Sequence, residues 1–333
     1  MPSTGRTWAC FCATIAVLIV ATIAGLSLGS STVGVADIAR WATGGEVSGR
    51  VANILVNVRI PRVAAALLAG AALSASGFII QTVLDNPMAS PNVIGVNAGA
   101  GLAVLIAASV APHAAAAVTP LAAFAGALAT ALIVFALANG AGASRLAVVL
   151  VGLAITTVLT AGMNVILIVN PDAYVGSSRF LTGGLSGVLL SDLAMPAIFA
   201  ACGLACAIGG AHHLAIMQLG DQSAHALGMN VKAFRLIMLA VAALLAGSAV
   251  SFAGMLGFVG LIVPHMARFL LKRSGRSALV LSVIMGAAFV VACDLVARVA
   301  FAPYEIPVGI IMAFLGGPFF IYLVFRNRRY RFA

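Results

Sequence analysis

Charged side chains are scarce in this chain. Asp, Glu, Lys and Arg together make up 8% of its 333 residues, whereas hydrophobic residues make up 63%. A soluble domain carries about 25% charged residues, so this chain has too few of them to cover a water-facing surface. The composition therefore excludes a soluble globular protein. It predicts an integral membrane protein that is surrounded by the lipid bilayer.

Sequence patterns for nucleotide binding and catalysis are also missing. The only two lysines are Lys232 and Lys272, and neither follows the glycine-rich turn that cradles phosphates in a P-loop. No pair of carboxylates is spaced for acid–base catalysis, and no His or Cys cluster has metal-ligand spacing. We therefore expect no catalytic residue, no metal and no cofactor in this chain. Uphill transport would then require a partner ATPase or an ion gradient.

Continuous apolar runs of about twenty residues fill most of the sequence. This length suits a helix that crosses ~30 Å of hydrocarbon, whereas the strands of a barrel alternate polar and apolar residues. The runs are Trp8–Leu28 and then, at about the bounds that this length criterion gives, 62–84, 92–111, 114–138, 146–169, 191–211, 234–255, 257–271, 278–300 and 307–325. The sequence thus predicts an all-α integral membrane protein, with about ten transmembrane helices in a single transmembrane domain over residues 1–333.

Two stretches of the chain resemble each other. Leu67–Pro87 aligns without a gap with Leu244–Pro264, and nine of twenty-one positions are identical, against about two by chance. We therefore predict two related halves, roughly 8–170 and 190–326. The segments after Pro87 and after Gly254 look short and interrupted. Interrupted helices at matching places in two halves are typical of a transport pathway.

The net charge of +10 has a source other than nucleic-acid binding, because basic residues concentrate in loops and at the C-terminus. An even number of spans puts both termini on one side. With cytoplasmic termini, the residues on the cytoplasmic side are Arg6, Arg145, Lys232, Arg235, Arg268, Lys272, Arg273, Arg276, Arg326, Arg328, Arg329 and Arg331. Those outside are Arg40, Arg50, Arg59, Arg62, Arg179 and Arg298. This excess predicts that both termini are cytoplasmic and that nucleic acid is not a partner.

Polar residues within the spans are few. Asp294 is the one carboxylate at mid-membrane depth, and Arg298 follows at i,i+4, where it can neutralise Asp294. Gradient-driven carriers usually keep carboxylates at this depth, so a gradient-driven carrier acting alone is the weaker alternative. Gln81 and Asn97 are expected to form hydrogen bonds between helices.

The segment His212–Arg235 is the longest non-apolar stretch on the predicted cytoplasmic side. It predicts a short helix, roughly Asp221–Leu227, which Gly228 ends as a C-cap. The residues alone leave two interpretations open. The helix either docks a partner protein or rests at the lipid interface.

Several stretches match a known family in the expected order. They are Arg59–Ala100, Leu219–Leu236, Gly257–Leu270, Asp294–Arg298, Glu305–Leu323 and the weaker Leu181–Gly187. Through them the chain resembles the permease subunits of bacterial ABC importers for iron–siderophore complexes, haem and cobalamin, or FecCD-type transmembrane subunits. The resemblance implies a cobalamin-importer-permease-like fold in the bacterial cytoplasmic membrane. It also implies a ferric–siderophore cargo, with cobalamin or haem as the alternative.

The resemblance implies partners as well. A second permease subunit, identical or paralogous, would pair with this chain and form the pathway between the two. Two cytoplasmic ATPase subunits would use ATP and Mg, and a substrate-binding protein would dock on the outside. The matching coupling-helix residues are Asp221, Gln222, His225, Leu227 and Gly228.

Two further residue sets follow from the resemblance. Arginines that bind glutamates of the binding protein match Arg59, Arg62 and Arg298. Asn86 and Pro87 match the family's NP turn, and Pro264 stands at the equivalent point of the second half. The predicted pathway and helix-break residues are Gln81, Asn86, Pro87, Asn97, Gly254 and Pro264.

Overall fold

The computed structural model describes residues 4–29, 33–140, 142, 144–272 and 275–326. Within these ranges the chain is helical, with short connections and no strand. The α-helices are, in chain order, α1 (Thr4–Ser27), α2 (Val35–Ala42), α3 (Gly49–Ile54), α4 (Ile60–Val83), α5 (Val96–Val110), α6 (Ala115–Gly140), α7 (Arg145–Val169), α8 (Asp172–Thr182), α9 (Leu190–Gly209), α10 (Ala211–Met217), α11 (Asp221–Ala226), α12 (Val231–Ala253), α13 (Val259–Leu271), α14 (Arg276–Val299) and α15 (Val308–Arg326). A π-helical turn, Leu55–Arg59, joins α3 to α4, and a 3-10 turn, Pro91–Ile94, precedes α5.

The prediction of about ten spans is confirmed. Among the described residues, seven helical stretches are long and apolar enough to cross a membrane. Three shorter apolar helices, Val96–Val110, Val259–Leu271 and Val308–Tyr322, bring the number to ten. Two of these three are the segments that the sequence predicted to be short. Four residues of the charge count, namely Arg273, Arg328, Arg329 and Arg331, lie outside the described residues.

Helices α4 and α12 form the centre of the bundle and pack against each other. They are the most buried of the long helices, with 78% and 72% of their apolar windows buried. The hydroxyl of Ser76 on α4 donates to the carbonyl of Ala242 on α12 at 2.7 Å. These two helices carry the first part of the predicted repeat, but its matched glycines differ in position, since Gly77 lies inside α4 whereas Gly254 follows the end of α12. By contrast, α1 and α7 are 11% buried, as expected of helices at the periphery.

Glycine pairs bring backbones together where α4 crosses its neighbours. A Cβ added to Gly70 would overlap the carbonyl of Gly286 on α14, and one added to Gly77 would overlap Gly260 on α13. Lipid tails are as apolar as leucine, so close packing of small residues is a main source of helix association in a membrane. The glycines at these crossings therefore serve close packing of the helices.

Two of the predicted helix breaks, at Asn86 and at Gly254, are present in the structure. Helix α4 ends at Val83, and Asn86 turns the chain as its side-chain oxygen accepts from Met88 N at 2.9 Å. Helix α12 ends at Ala253, and the next residue, Gly254, has φ +72°, a conformation that favours glycine. Both interruptions are thus confirmed.

The prediction of a helix break at Pro264 is wrong, because Pro264 lies inside α13. Proline has no N–H, so it leaves the carbonyl four residues earlier, that of Gly260, without its helical donor. The side-chain amide of Gln81 on α4 donates to that carbonyl at 3.2 Å and to the carbonyl of Leu261 at 3.1 Å. A neighbouring helix thus satisfies the group that proline leaves unpaired, and the helix continues.

Candidate coupling and docking sites

The short helix α11 sits between two glycines in unusual conformations. Gly220 before it has φ +96° and Gly228 after it has φ +83°, so both chain reversals favour glycine. The predicted helix and its glycine end are confirmed within one residue. One side chain, that of Ala224, is buried against the bundle. The side chains of Gln222, His225 and Leu227 are exposed, and that of Leu227 is 65% exposed.

Two arginines fix the start of α11 to the bundle. One carboxylate oxygen of Asp221 accepts a hydrogen bond from Arg145 Nη2 at 2.7 Å, and the other accepts one from Arg235 Nη2 at 2.7 Å. Arg145 also donates through Nη1 to Asp85 at 2.6 Å. Burial alone would raise the pKa of Asp221, but the hydrogen bonds and charges of Arg235 and Arg145 outweigh it and hold that pKa below its usual range. Asp221 is therefore ionised at neutral pH.

Two open grooves flank the turn that follows α11. The larger has a volume of about 690 Å³ and is lined by residues that include Asp221, His225, Lys232 and Arg235. The other has a volume of about 420 Å³ and is lined more by apolar and aromatic side chains, including Leu227 and Phe234. A partner that grips α11 can thus use charged contacts on one side and apolar contacts on the other.

A second charged cluster lies at the end of α4 opposite to Asp85. Helix α4 has 24 residues and is therefore about 36 Å long. Arg62 Nε binds both oxygens of Asp294, at 3.0 Å and 3.1 Å, and Arg298 Nε binds Asp294 at 3.1 Å. Arg62 Nη1 also binds Glu305 at 2.6 Å. The predicted contact between Asp294 and Arg298 is confirmed, and Arg62 is a third member that the i,i+4 spacing could not reveal.

Three further hydrogen bonds, donated by Arg298 and Arg59, hold the end of α1. Arg298 donates to the carbonyls of Gly25 at 3.1 Å and Leu28 at 3.3 Å, and Arg59 donates to the carbonyl of Leu26. The last carbonyls of a helix have no intrahelical donor, and cations are favourable near them. Arg59 and Arg298 therefore cap α1, which explains why basic residues stand here.

The three predicted docking arginines are almost fully buried, which limits their contact with a partner protein in this structure. Arg59, Arg62 and Arg298 are 3%, 5% and 4% exposed. The structure brings them together at one end of the bundle, as docking requires, but their guanidinium groups are engaged within the chain. The most exposed member of the cluster is Glu305, whose side chain is 35% exposed. Their role in docking stays a prediction.

The predicted pathway residues divide into two groups. Gln81, Gly254 and Pro264 are buried within the chain, whereas Pro87 is exposed and Asn86 and Asn97 are partly exposed. The predicted interhelical hydrogen bond is confirmed for Gln81, whereas Asn97 donates to the carbonyl of Leu256, in the connection between α12 and α13, at 3.4 Å.

Gly254 borders a cavity of about 510 Å³ that Arg179, Asp192 and Ser251 also line. Phe180 is bound to the residue after Gly254, because Met255 N donates to the Phe180 carbonyl at 2.9 Å. A Cβ on Gly254 would overlap that same carbonyl. The weakly matched Leu181–Gly187 stretch also lies against the second helix break, since Gly184 N donates to the carbonyl of Ala253 at 3.0 Å. A role for these residues in the pathway stays a prediction.

Sequence reasoning missed several partners of the candidate residues. The sequence placed Arg145 and Arg235 only among the cytoplasmic charges, yet both bind Asp221, and Asp85 shares Arg145 with Asp221. Arg268 was also missed as a site residue, although it donates to the side-chain oxygen of Gln81 and to the carbonyl of Phe78. Glu305 lay within a matched stretch and could have been noticed as its one carboxylate.

Comparisons with known proteins give a consistent result. Residues 17–326 match the model of the FecCD transport family. The hemin transport system permease protein HmuU of Yersinia pestis is 33% identical over 322 residues, with 92% of this chain and 93% of the relative covered. The Fe(3+)-citrate import system permease protein YfmD of Bacillus subtilis is 33% identical over 303 residues, with 91% and 90% covered. Other matched relatives are named for iron–hydroxamate and cobalamin import.

A solved structure supports the same architecture. An inward-facing conformation of a metal-chelate type ABC transporter matches with a TM-score of 0.80, covering 96% of this chain and 99% of that chain. The sequence identity is 22%, so this match concerns the fold alone. The predicted ten-helix permease architecture is confirmed.

Proposed function

Because the chain belongs to the FecCD transport family, we propose that it moves a ferric–siderophore complex across the bacterial cytoplasmic membrane. The family consists of permease subunits of ABC importers for iron chelates, haem and cobalamin. The chain is therefore a multi-pass transport subunit. In the proposal, ATP and Mg are used by partner ATPases, and this chain forms part of the passage.

The geometry of α11 is the observation that carries the ATP-driven mechanism. Its exposed residues Gln222, His225 and Leu227 stand between two grooves, while Asp221 is tied to Arg145 and Arg235. A helix that only rested on lipid would need no such ionic attachment to the bundle. Firm attachment suits a helix that transmits force, which favours partner docking over the lipid interpretation that the sequence left open.

The partners follow from this assignment. Two ATPase subunits would seat α11 of each permease copy on the cytoplasmic side, and both termini would lie in the cytoplasm. A second permease subunit, identical or paralogous, would complete the pathway. A substrate-binding protein would dock near Glu305 and the arginine cluster of Arg59, Arg62 and Arg298. Guanidinium groups bind carboxylates with two parallel hydrogen bonds, which suits orientation of a partner.

The cargo proposal is tested by uptake in cells that lack this gene. We expect accumulation of a radiolabelled ferric siderophore to be lost and to be restored by the intact gene, while haem and cobalamin uptake are unchanged. Loss of haem or cobalamin uptake instead would assign one of those cargoes. Unchanged uptake of every ferric chelate would exclude iron.

The energy source is tested in proteoliposomes that hold this chain with or without its ATPases. Transport only with ATPases and ATP supports the proposal, and uphill transport by the chain alone would establish the gradient-driven alternative.

The variant Leu227→Glu should abolish ATPase binding, because it puts a carboxylate on the exposed end of α11. Tyr304→Glu is the matched control for ATPase binding alone, since Tyr304 is 78% exposed at the other end of the bundle.

A further inference from the structure

Arg145, the first residue of α7, connects two carboxylates that come from distant parts of the chain. Its Nη2 atom binds Asp221 at 2.7 Å, and its Nη1 atom binds Asp85 at 2.6 Å. Resting on the proposed function, we infer that Arg145 is a positioning residue. It transmits movement of α11 to the turn after α4, which contains Asn86 and Pro87.

The turn after α4 is built to follow Asp85. Asp85 adopts φ +48°, directly beyond the end of the helix. Asn86 N donates back to the carbonyl of Gln81 at 3.0 Å, and Met88 N donates to the side chain of Asn86. These local hydrogen bonds make the turn a compact unit. A pull on the carboxylate of Asp85 therefore moves the turn instead of a single side chain.

A second contact ties the same segment to α7. A Cβ on Gly152 would overlap the carbonyl of Val93, so the 3-10 turn Pro91–Ile94 lies directly on the backbone of α7. Gly152 stands seven residues after Arg145, about 10 Å along the helix. The segment between α4 and α5 is thus attached to α7 at its beginning and near its end. It moves with α7 as a unit.

From this turn the contacts continue to the second helix break. Gln81, whose carbonyl accepts from Asn86, donates through its side chain to Gly260 and Leu261 on α13. Helix α13 directly follows the interruption at Gly254. A continuous set of polar contacts therefore runs from α11 through Arg145 and Asp85 to both interrupted helices, which is the kind of physical connection that coupling between sites needs.

Solvent exposure indicates that these contacts position more than they stabilise. The side chains of Asp85 and Asp221 are 63% and 45% exposed, and that of Arg145 is 27% exposed. Ion pairs in water contribute little to folding stability. Loss of the Arg145 contacts should thus leave the bundle folded and α11 still held by Arg235.

The test uses the complete importer in proteoliposomes, with ATP hydrolysis and accumulation of a radiolabelled ferric chelate measured on the same sample. For Arg145→Gln we expect ATPase binding and hydrolysis to persist, while chelate transported per ATP falls at least about fivefold, the low end of allosteric coupling. Arg40→Gln is the matched control, because Arg40 forms its exposed ion pair, at 3.9 Å, with Asp37 of the same helix α2.

The variant Asp85→Asn separates a loss of transmission from a loss of ATPase docking, because it leaves the contacts of Asp221 intact. It should reduce transport per ATP as Arg145→Gln does, and the double variant should be no worse than either. An unchanged transport ratio in Asp85→Asn overturns the inference, whatever Arg145→Gln does. If the unaltered chain fails to bind ATPases or to transport, the proposed function itself fails.

Discussion

The guanidinium Nε of Arg62 lies 3.0 Å and 3.1 Å from the two carboxylate oxygens of Asp294, a residue 232 positions away in the chain. The two side chains are 6% and 2% exposed. Arg298 binds the same carboxylate from one helical turn further along α14. One buried carboxylate thus holds two arginines that would otherwise repel each other, and it joins α4 to α14 at the predicted outer end.

Asp294→Asn should destabilise the protein strongly. Removing one member of a buried ion pair leaves uncompensated charge and typically costs about 3–5 kcal/mol. Thermal unfolding of the purified chain in detergent measures this. Asp37→Asn is the control, since the Asp37–Arg40 pair is exposed and its loss should cost about 0–1 kcal/mol. Equal unfolding temperatures for the two variants would contradict the structural role of Asp294.

Glu305→Gln should strengthen docking of the substrate-binding protein. Glu305 accepts a hydrogen bond from Arg62 Nη1 at 2.6 Å, so it competes with any incoming carboxylate for that donor. Removal of a partly exposed competitor worth about 1 kcal/mol should raise the affinity about fivefold.

Binding of the purified binding protein to the chain in nanodiscs measures the effect, with Glu46→Gln as the control on an exposed carboxylate. If Glu305→Gln leaves the affinity unchanged, Arg62 is a structural residue and not a docking residue.

Gly77→Ala should disrupt the crossing of α4 and α13. The added methyl group would overlap the backbone carbonyl of Gly260, and backbone cannot rotate away as a side chain can. Overpacking of this kind costs roughly 1–3 kcal/mol. The comparison is Gly209→Ala at the end of α9, where nothing lies within 4 Å of an added Cβ. Thermal unfolding should separate the two, and a neutral Gly77→Ala would show that the helices do not touch there.

A double-mutant cycle tests whether Gln81 compensates for Pro264. Gln81→Leu should destabilise the chain, because the carbonyl of Gly260 loses its donor. In a Pro264→Ala background the new backbone N–H can satisfy that carbonyl, so the same change should cost about 1 kcal/mol less. The loss of the Arg268 contact with Gln81 occurs in both backgrounds and cancels. Equal costs in both backgrounds would show that the two residues act independently.

Local sequence patterns identified every feature that depends on a short stretch of chain. The length of the apolar runs predicted the ten helices that can span the membrane, since crossing hydrocarbon requires an uninterrupted run of backbone hydrogen bonds. The glycine after a short polar helix predicted the end of α11 within one residue. Asn86–Pro87 and Gly254 marked real interruptions, because the conformations they require are local. Motif resemblance located both clusters of candidate residues.

What the sequence alone determined is thus the class of protein, the number of apolar helices that can span the membrane and the family. Only the tertiary structure decided the partners. Pro264 stays helical because of an amide on another helix, and Asp85, Arg145 and Asp221 meet from positions at least 60 residues apart. The physical reason is that a hydrogen bond or ion pair depends on the atoms that packing brings within about 3 Å. Sequence spacing reports such neighbours only within one helix.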